Sequence, residues 1–109
     1  MIFQHKELSR DKWFRLSFLE QMANIGSEVD RALSWKTRNL DYSKGLMNRA
    51  IELLYLTIDD KKNVKRLKEL TRVYEMLIDY FYFDNKYNTS EIFWKKYFFE
   101  FIYATRRNK

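Results

Sequence analysis

Apolar residues recur every three or four positions over most of the chain, which is the spacing of one face of an α-helix. The first such stretch predicts a helix from about residue 11 to residue 38. Its apolar face comprises Phe14, Leu16, Phe18, Leu19, Met22, Ala23, Ile25, Gly26, Val29 and Leu33. Polar side chains occupy the opposite face, so we expect this helix to bury one side only.

Two further amphipathic stretches follow after short polar breaks. A second helix is predicted over residues 43–58, with Ser43 as its N-cap. A third is predicted over residues 63–83, where the apolar and charged faces separate most cleanly. The apolar side of the third helix consists of Leu67, Leu70, Val73, Tyr74, Leu77, Ile78 and Phe81.

A fourth helix is predicted over residues 89–106. Asn88 with Glu91 three positions later resembles a capping box at its start. Four helices with short connections favour an antiparallel up-down-up-down four-helix bundle, formed as a single domain by residues 1–109.

Glycine and proline usage supports an all-α fold. The chain has no Pro and only two Gly among 109 residues. Hairpins and tight turns depend on these two residues, whereas helix interiors exclude them. The composition therefore favours helices throughout.

The segment from Asp79 to Tyr103 is exceptionally rich in aromatic rings, with twelve of the twenty in the chain. On the predicted fourth helix the rings exceed what one core face needs, because a second apolar strip lies outside that face. Exposed apolar patches of this kind usually mark contacts between proteins. We expect a homo-oligomer contact there, made by Tyr82, Phe83, Ile92, Phe99 and Tyr103.

Other uses of these rings remain open. Bases of a nucleic acid could stack on them, beside Lys95 and Lys96, although most of the rings point toward the predicted core. A helix lying on a membrane would need a wholly polar face rich in Lys and Arg, which this helix lacks. The rings could also form only a wide core.

The basic residues concentrate at one predicted pole of the bundle, where the N-terminus, the connection after the second helix and the C-terminus meet. We name this the basic pole, and its acidic residues are Glu7, Asp11, Asp59 and Asp60. Its basic residues are Lys6, Arg10, Lys12, Lys61, Lys62, Lys65, Arg66, Arg106, Arg107 and Lys109. The excess of basic over acidic residues there equals the net charge of the whole chain, +6.

Such a pole can bind phosphates without sequence preference. The residues expected to contact RNA or DNA are Lys61, Lys62, Lys65, Arg66, Arg106 and Arg107. A simpler interpretation is a solvated charged end, because cations at helix C-termini complement the helix dipole.

Residues for catalysis are scarce. The chain has no Cys and a single His, His5, so thiolate sites, His-centred triads and paired-His metal sites are excluded. Its carboxylates fall in a predicted loop and on solvated faces, and it has no phosphate-binding Gly-rich loop. We expect no enzyme, no cofactor, no metal site and no small-molecule substrate. No apolar run is long enough to span a bilayer, so we expect a cytoplasmic protein that does not contact membranes.

Two residues of the first predicted helix are unusual for their positions. Asp30 falls on the apolar side, and we expect Arg15 to pair with it as a structural ion pair. Gly26 stands in mid-helix at a cost of about 1 kcal/mol relative to Ala. Close approach by a neighbouring helix would explain this glycine.

The stretches "EQMANIGSEVDRAL", "RAIELLYLTIDD" and "RLKELTRVYEMLIDYFYFDNKYNTSEIFWKKYF" resemble a group of small prokaryotic proteins with no assigned activity. In size, basicity and inferred bundle, the chain is also similar to two better described kinds of protein. These are the four-helix-bundle proteins of ribosomal-RNA intervening sequences and the accessory proteins of diversity-generating retroelements. The resemblance implies a ring-like homo-oligomer, for example a pentamer, with a basic surface for nucleic acid.

Together these patterns lead to two hypotheses for function. The first is a non-enzymatic, homo-oligomeric bundle that binds nucleic acid through the basic pole. The second is a protein–protein adaptor or scaffold that uses the aromatic surface of the fourth helix.

Overall fold

The computed structural model describes residues 10–107, so Lys6, Glu7 and Lys109 of the basic pole lie outside the described residues. No strand occurs in residues 10–107, and the all-α prediction is confirmed for this part of the chain. Its helices are α1 (Arg10–Arg15), α2 (Phe18–Trp35), α3 (Leu40–Asp59), a 3-10 helix (Lys61–Arg66), α4 (Leu67–Tyr82) and α5 (Glu91–Arg107).

The region predicted as one helix over residues 11–38 is divided into α1 and α2 by a break at Leu16 and Ser17. Ser17 Oγ accepts a hydrogen bond from the Glu20 N–H at 3.1 Å, and Glu20 Oε1 accepts one from the Ser17 N–H at 2.9 Å. This reciprocal capping box satisfies two N–H groups that a helix start would leave without partners. It therefore stabilises a new helix beginning at Phe18.

The second predicted helix begins earlier than expected. Asn39 is its N-cap, because Asn39 Oδ1 accepts a hydrogen bond from the Tyr42 N–H at 3.1 Å. Ser43, the predicted cap, is buried inside α3 and its hydroxyl donates to the Ala32 carbonyl at 2.6 Å. Ser43 thus joins α2 to α3 and does not cap a helix.

The connection between α4 and α5 is held by polar side chains. The Asp79 carboxylate accepts hydrogen bonds from two consecutive N–H groups of the connection, at 2.9 and 3.0 Å. Ser90, and not Asn88, caps α5, since Ser90 Oγ accepts from the Phe93 N–H at 3.1 Å. Asn88 has a φ of 54°, the left-handed region that Asn tolerates better than most residues, and so serves the turn.

The helix α2 packs along α3 on one side and along α5 on the other. A Cβ added at Gly26 of α2 would lie 2.6 Å from Phe98 Cβ of α5, closer than real Cβ atoms come. The prediction that a neighbouring helix approaches Gly26 closely is therefore confirmed. Only glycine allows the two backbones to come this near.

Contacts at both ends show that α2 and α3 run in opposite directions. Near the start of α2, Gln21 bonds to Asp60 just after α3, and near its end Ala32 bonds to Ser43 at the start of α3. Tyr82 at the end of α4 likewise reaches Asn48 in the first half of α3. The buried apolar residues are Trp13, Met22, Ile25, Val29, Ala32, Leu33, Leu46, Met47, Ala50, Ile51, Leu53, Leu54, Leu56, Leu70, Val73, Leu77, Trp94 and Phe98.

Candidate interaction surfaces

The outer face of α5 carries an exposed apolar strip, which we call the outer strip and define as Ile92, Phe99 and Tyr103. These residues are 66%, 58% and 50% exposed, respectively. The rings of Phe99 and Tyr103 are nearly parallel, with centroids 5.8 Å apart and an interplanar angle of 19°. The strip therefore presents a preorganised pair of rings to solvent.

The other two residues predicted for the oligomer contact lie elsewhere. The hydroxyl of Tyr82 is hydrogen-bonded to Asn48 in α3 of its own chain, and the ring of Tyr82 meets that of Phe81. Phe83 is 72% exposed and lines a groove of about 370 Å³ with Tyr74 and Ile78 of α4. Within residues 10–107, no residue of α5 lines that groove. Phe83 thus belongs to a second surface, separate from the outer strip, and Tyr82 is bonded to its own chain.

A groove of about 290 Å³ runs between α2 and α5. Trp94 and Phe98 contribute to its lining, and Phe99 of the outer strip is also part of it. Across the groove, the Asp30 carboxylate lies 3.9 Å from the Lys95 ammonium. The ion pair is exposed, so its contribution to stability is small.

The predicted pair of Arg15 and Asp30 is not formed. Arg15 is the last residue of α1, whereas Asp30 belongs to α2, and the two helices are separated by a break. Positions on a helical wheel are comparable only within one continuous helix. Asp30 is exposed at the edge of the contact between α2 and α5, and its partner is Lys95.

Several contacts join the elements that carry the basic pole. Arg10 of α1 forms an ion pair with Asp59 at the end of α3. The Arg66 guanidinium carbon lies 4.5 Å from the ring centroid of Phe18 at the start of α2. The ring of Phe18 in turn meets that of Phe101 in α5, with centroids 5.8 Å apart. The start of α2, the 3-10 helix and the last turns of α5 therefore lie at the same end of the molecule.

The six predicted phosphate-binding residues differ in whether they already contact other side chains of this chain. Arg66 also pairs with Glu69 at 3.3 Å, and the Arg107 guanidinium lies 6.0 Å from the Tyr103 ring centroid. Four of them are exposed and form no ion pair with any of residues 10–107, namely Lys61, Lys65, Arg106 and Arg107. Among these four, Arg107 also lies near a ring, so Lys61, Lys65 and Arg106 are the cations best placed to meet an external anion.

Lys62 is occupied within the fold. Its ammonium is hydrogen-bonded to the Asp60 carboxylate and to the Phe14 carbonyl, the latter at 2.9 Å. Burial works to raise the pKa of Asp60, but hydrogen bonds from Lys62 and Gln21 outweigh it, so this pKa lies below its usual value. We therefore assign Lys62 a structural role beside any binding role.

Asp60 belongs to a buried polar network that the sequence pattern did not reveal. The Gln21 side-chain amide donates to the Trp13 carbonyl at 3.0 Å and to the Asp60 carboxylate at 2.9 Å. Asn63 Nδ2 donates to Gln21 Oε1 at 2.9 Å and to the Thr57 carbonyl at 3.0 Å. The indole of Trp13 donates to the Thr57 hydroxyl at 3.0 Å. With its partners satisfied, such a network fixes the relative positions of α1, α2, α3 and the 3-10 helix.

Beside the basic pole lie two apolar residues whose exposure was not predicted, and one of them, Leu67, had been placed on the apolar side of the third predicted helix. Val64 and Leu67 are exposed, although they lie in or next to the 3-10 helix that carries Lys61 and Lys65. The 3-10 geometry explains this exposure, because three residues per turn breaks the 3.6-residue pattern used to assign a buried face. The basic pole is therefore a mixed cationic and apolar surface.

The described residues contain no group of three or more metal-binding side chains, and none of their helices is long and apolar enough to cross a bilayer. Comparison with protein-family models, curated proteins and solved structures finds no match to this chain. The resemblance to ribosomal-RNA intervening-sequence proteins and retroelement accessory proteins therefore stays a prediction.

Proposed function

We propose that this protein is a non-enzymatic, homo-oligomeric, up-down-up-down four-helix bundle that binds RNA or DNA through its basic pole. The observation that supports it best is the set of contacts joining Arg66 to Phe18 and Phe18 to Phe101. These contacts gather cations from distant parts of the sequence at one end of the molecule.

The chemistry of the basic pole suits a phosphate backbone. Lys61, Lys65 and Arg106 are exposed cations with no competing ion pair among residues 10–107. Lysine and arginine on a surface bind phosphates by displacing condensed counterions, so the affinity falls steeply with salt. Contacts to phosphates carry no sequence information, so we expect binding with little sequence preference.

Charge reversal tests this proposal. Lys61→Glu/Lys65→Glu should weaken binding of labelled RNA and DNA oligonucleotides about tenfold or more at low salt. The slope of log affinity against log salt should fall by about 0.7 to 0.9 for each phosphate that the variant no longer neutralises. Fluorescence anisotropy over a salt series measures both quantities.

The matched control is Lys44→Glu/Lys86→Glu, which makes the same charge change on exposed residues near the opposite end of the helices. It should retain most of the binding. Equal losses of affinity in the two double variants would mean that only net charge matters. Undetectable binding by the unmodified protein would remove the nucleic-acid proposal altogether.

The exposure of the outer strip supports the alternative of a protein–protein adaptor. An apolar contact of Phe99 and Tyr103 with a different protein would be insensitive to salt and would be abolished in Phe99→Glu. A salt-resistant complex with another protein, together with undetectable nucleic-acid binding, would favour the adaptor.

A further inference from the structure

The outer strip and one charged residue, Lys96, together form a narrow seam along α5. Ile92, Lys96, Phe99 and Tyr103 follow one another at intervals of four, three and four residues, and all four are exposed. This spacing is that of the seam along which two helices of a coiled coil pack. The core of the chain itself uses a different side of α5, where Trp94 and Phe98 are buried.

We infer that α5 pairs with α5 of a second copy of this chain in the antiparallel direction. In this arrangement Ile92 faces Tyr103 of the second copy, and Lys96 faces Phe99 of the second copy. The inference rests on the proposed homo-oligomer. It specifies which helix makes the contact, in which direction the two helices run and which residues face each other.

The charge on Lys96 decides the direction. In a parallel pair each seam residue meets its own counterpart, so two Lys96 ammonium groups would face each other in the middle of an apolar contact. Like charges brought together in this way are destabilising. In the antiparallel pair the Lys96 side chain lies against a Phe99 ring, where a cation is attracted to the ring face.

The neighbouring charges agree with this direction. Glu100 follows Phe99 along α5, so in the antiparallel pair it flanks Lys96 of the second copy and can neutralise it. In a parallel pair, Lys95 instead of Lys96 would lie beside Glu100 of the second copy. However, the Lys95 ammonium is turned toward its own chain, 3.9 Å from Asp30 and 3.7 Å from Glu91.

An antiparallel pair has a consequence for the basic pole. The two copies would carry their poles at opposite ends of the contact, because Arg106 and Arg107 terminate α5. One dimer could then bind two strands or two separated parts of one strand.

Cysteine crosslinking tests the direction directly, because the chain has no cysteine of its own. The experiment uses two single variants, Ile92→Cys and Tyr103→Cys, one of which carries a size tag. Each variant is refolded alone and also mixed with the other, and every sample is then treated with a mild oxidant. In the antiparallel pair the two Ile92 positions are about 16 Å apart along the helix axis, at 1.5 Å per residue. A disulfide needs Cα atoms within about 7 Å, so neither variant should crosslink alone.

The mixed sample should give a disulfide-linked band at the mass of one tagged and one untagged chain. Crosslinking of each variant by itself would overturn the antiparallel direction. Val64→Cys, an equally exposed position outside the strip, gives the background of random collisions. A mixed sample no more crosslinked than this control would overturn the α5 contact.

The nucleic-acid part of the proposed function is judged separately. The salt-dependent binding of the unmodified protein can persist when the crosslinking fails, which would leave the basic pole in place and remove only the α5 pair. Failure of the proposed oligomer itself would be seen as a single-chain mass for the unmodified protein.

Discussion

The two faces of α5 have similar side chains but different surroundings. On the inner face, Trp94 and Phe98 are buried against α2 and the rest of the core, and Phe98 is only 2% exposed. On the outer face, Phe99 is the next residue in sequence and is more than half exposed. Two aromatic residues that are adjacent in sequence therefore differ in their surroundings, since Phe98 is part of the core and Phe99 is left exposed for the proposed contact.

The largest expected effect separates these two faces. Phe98→Ala should lower the free energy of unfolding by about 3 to 5 kcal/mol, because it leaves a cavity between α2 and α5. Phe99→Ala should cost less than about 1.5 kcal/mol, mostly because the Tyr103 ring would no longer have a ring packed beside it. Urea unfolding at protein concentrations low enough to keep the chains separate measures both. Similar costs for the two variants would mean that the outer strip belongs to the core of the single chain.

The second effect concerns the close contact that defines the inner face. Gly26→Ala should destabilise the protein by about 1 to 3 kcal/mol, because the new methyl group would overlap Phe98 Cβ and force α2 and α5 apart. This cost outweighs the gain of about 1 kcal/mol in helix propensity.

Gly45→Ala is the matched control, since Gly45 lies within α3 and its added Cβ would meet no atom within 4 Å apart from its chain neighbours and the backbone of its own helix. It should raise the free energy of unfolding by about 0.5 to 1 kcal/mol. A stabilised Gly26→Ala would show that α2 and α5 do not approach each other this closely in solution.

The smallest effect concerns Tyr97 of α5, whose hydroxyl reaches α4. Burial and a hydrogen bond from its hydroxyl to Glu69 Oε2, at 2.9 Å, raise the pKa of Tyr97 well above its usual value. Its contribution to stability is therefore full below about pH 10, the unfolded pKa, and is lost as the pH rises toward the folded one.

Tyr97→Phe should therefore weaken the dependence of stability on pH above about 10, by less than about 1.4 kcal/mol per pH unit because solvent reaches part of the ring. Thermal unfolding in a series of alkaline buffers measures this difference. Parallel curves for the variant and the unmodified protein would show that Tyr97 ionises equally in both states. Part of the alkaline loss of stability should persist in Tyr97→Phe, because burial also raises the pKa values of Tyr80 and Tyr82.

Some of this molecule could be predicted from local patterns. The sequence placed Phe99 outside the core face of the fourth predicted helix, where the structure exposes it, and the mid-helix position of Gly26 pointed to a close helix contact that the structure contains. The break before α2 could also have been predicted, because Ser17 and Glu20 have the spacing of a capping box. The capping-box spacing was overlooked because the apolar residues continue the helical period across the break.

Other features depend on residues far apart in sequence. Gln21, Thr57 and Asn63 are buried because they satisfy one another across three elements, and no local pattern distinguishes them from surface polar residues. The pairing of Asp30 with Lys95 likewise depends on how α2 and α5 pack. Such partners become apparent only once the helices have been assembled.

The central claim is that the inner face of α5 folds one chain and the outer strip joins two. Light scattering of the unmodified protein and of Phe99→Glu, at low and high salt, tests it most directly. The unmodified protein should have a salt-resistant mass that is a multiple of 13.6 kDa, whereas Phe99→Glu should remain folded at 13.6 kDa. A mass of 13.6 kDa for the unmodified protein under every condition would contradict the claim, and so would a multiple that Phe99→Glu leaves unchanged.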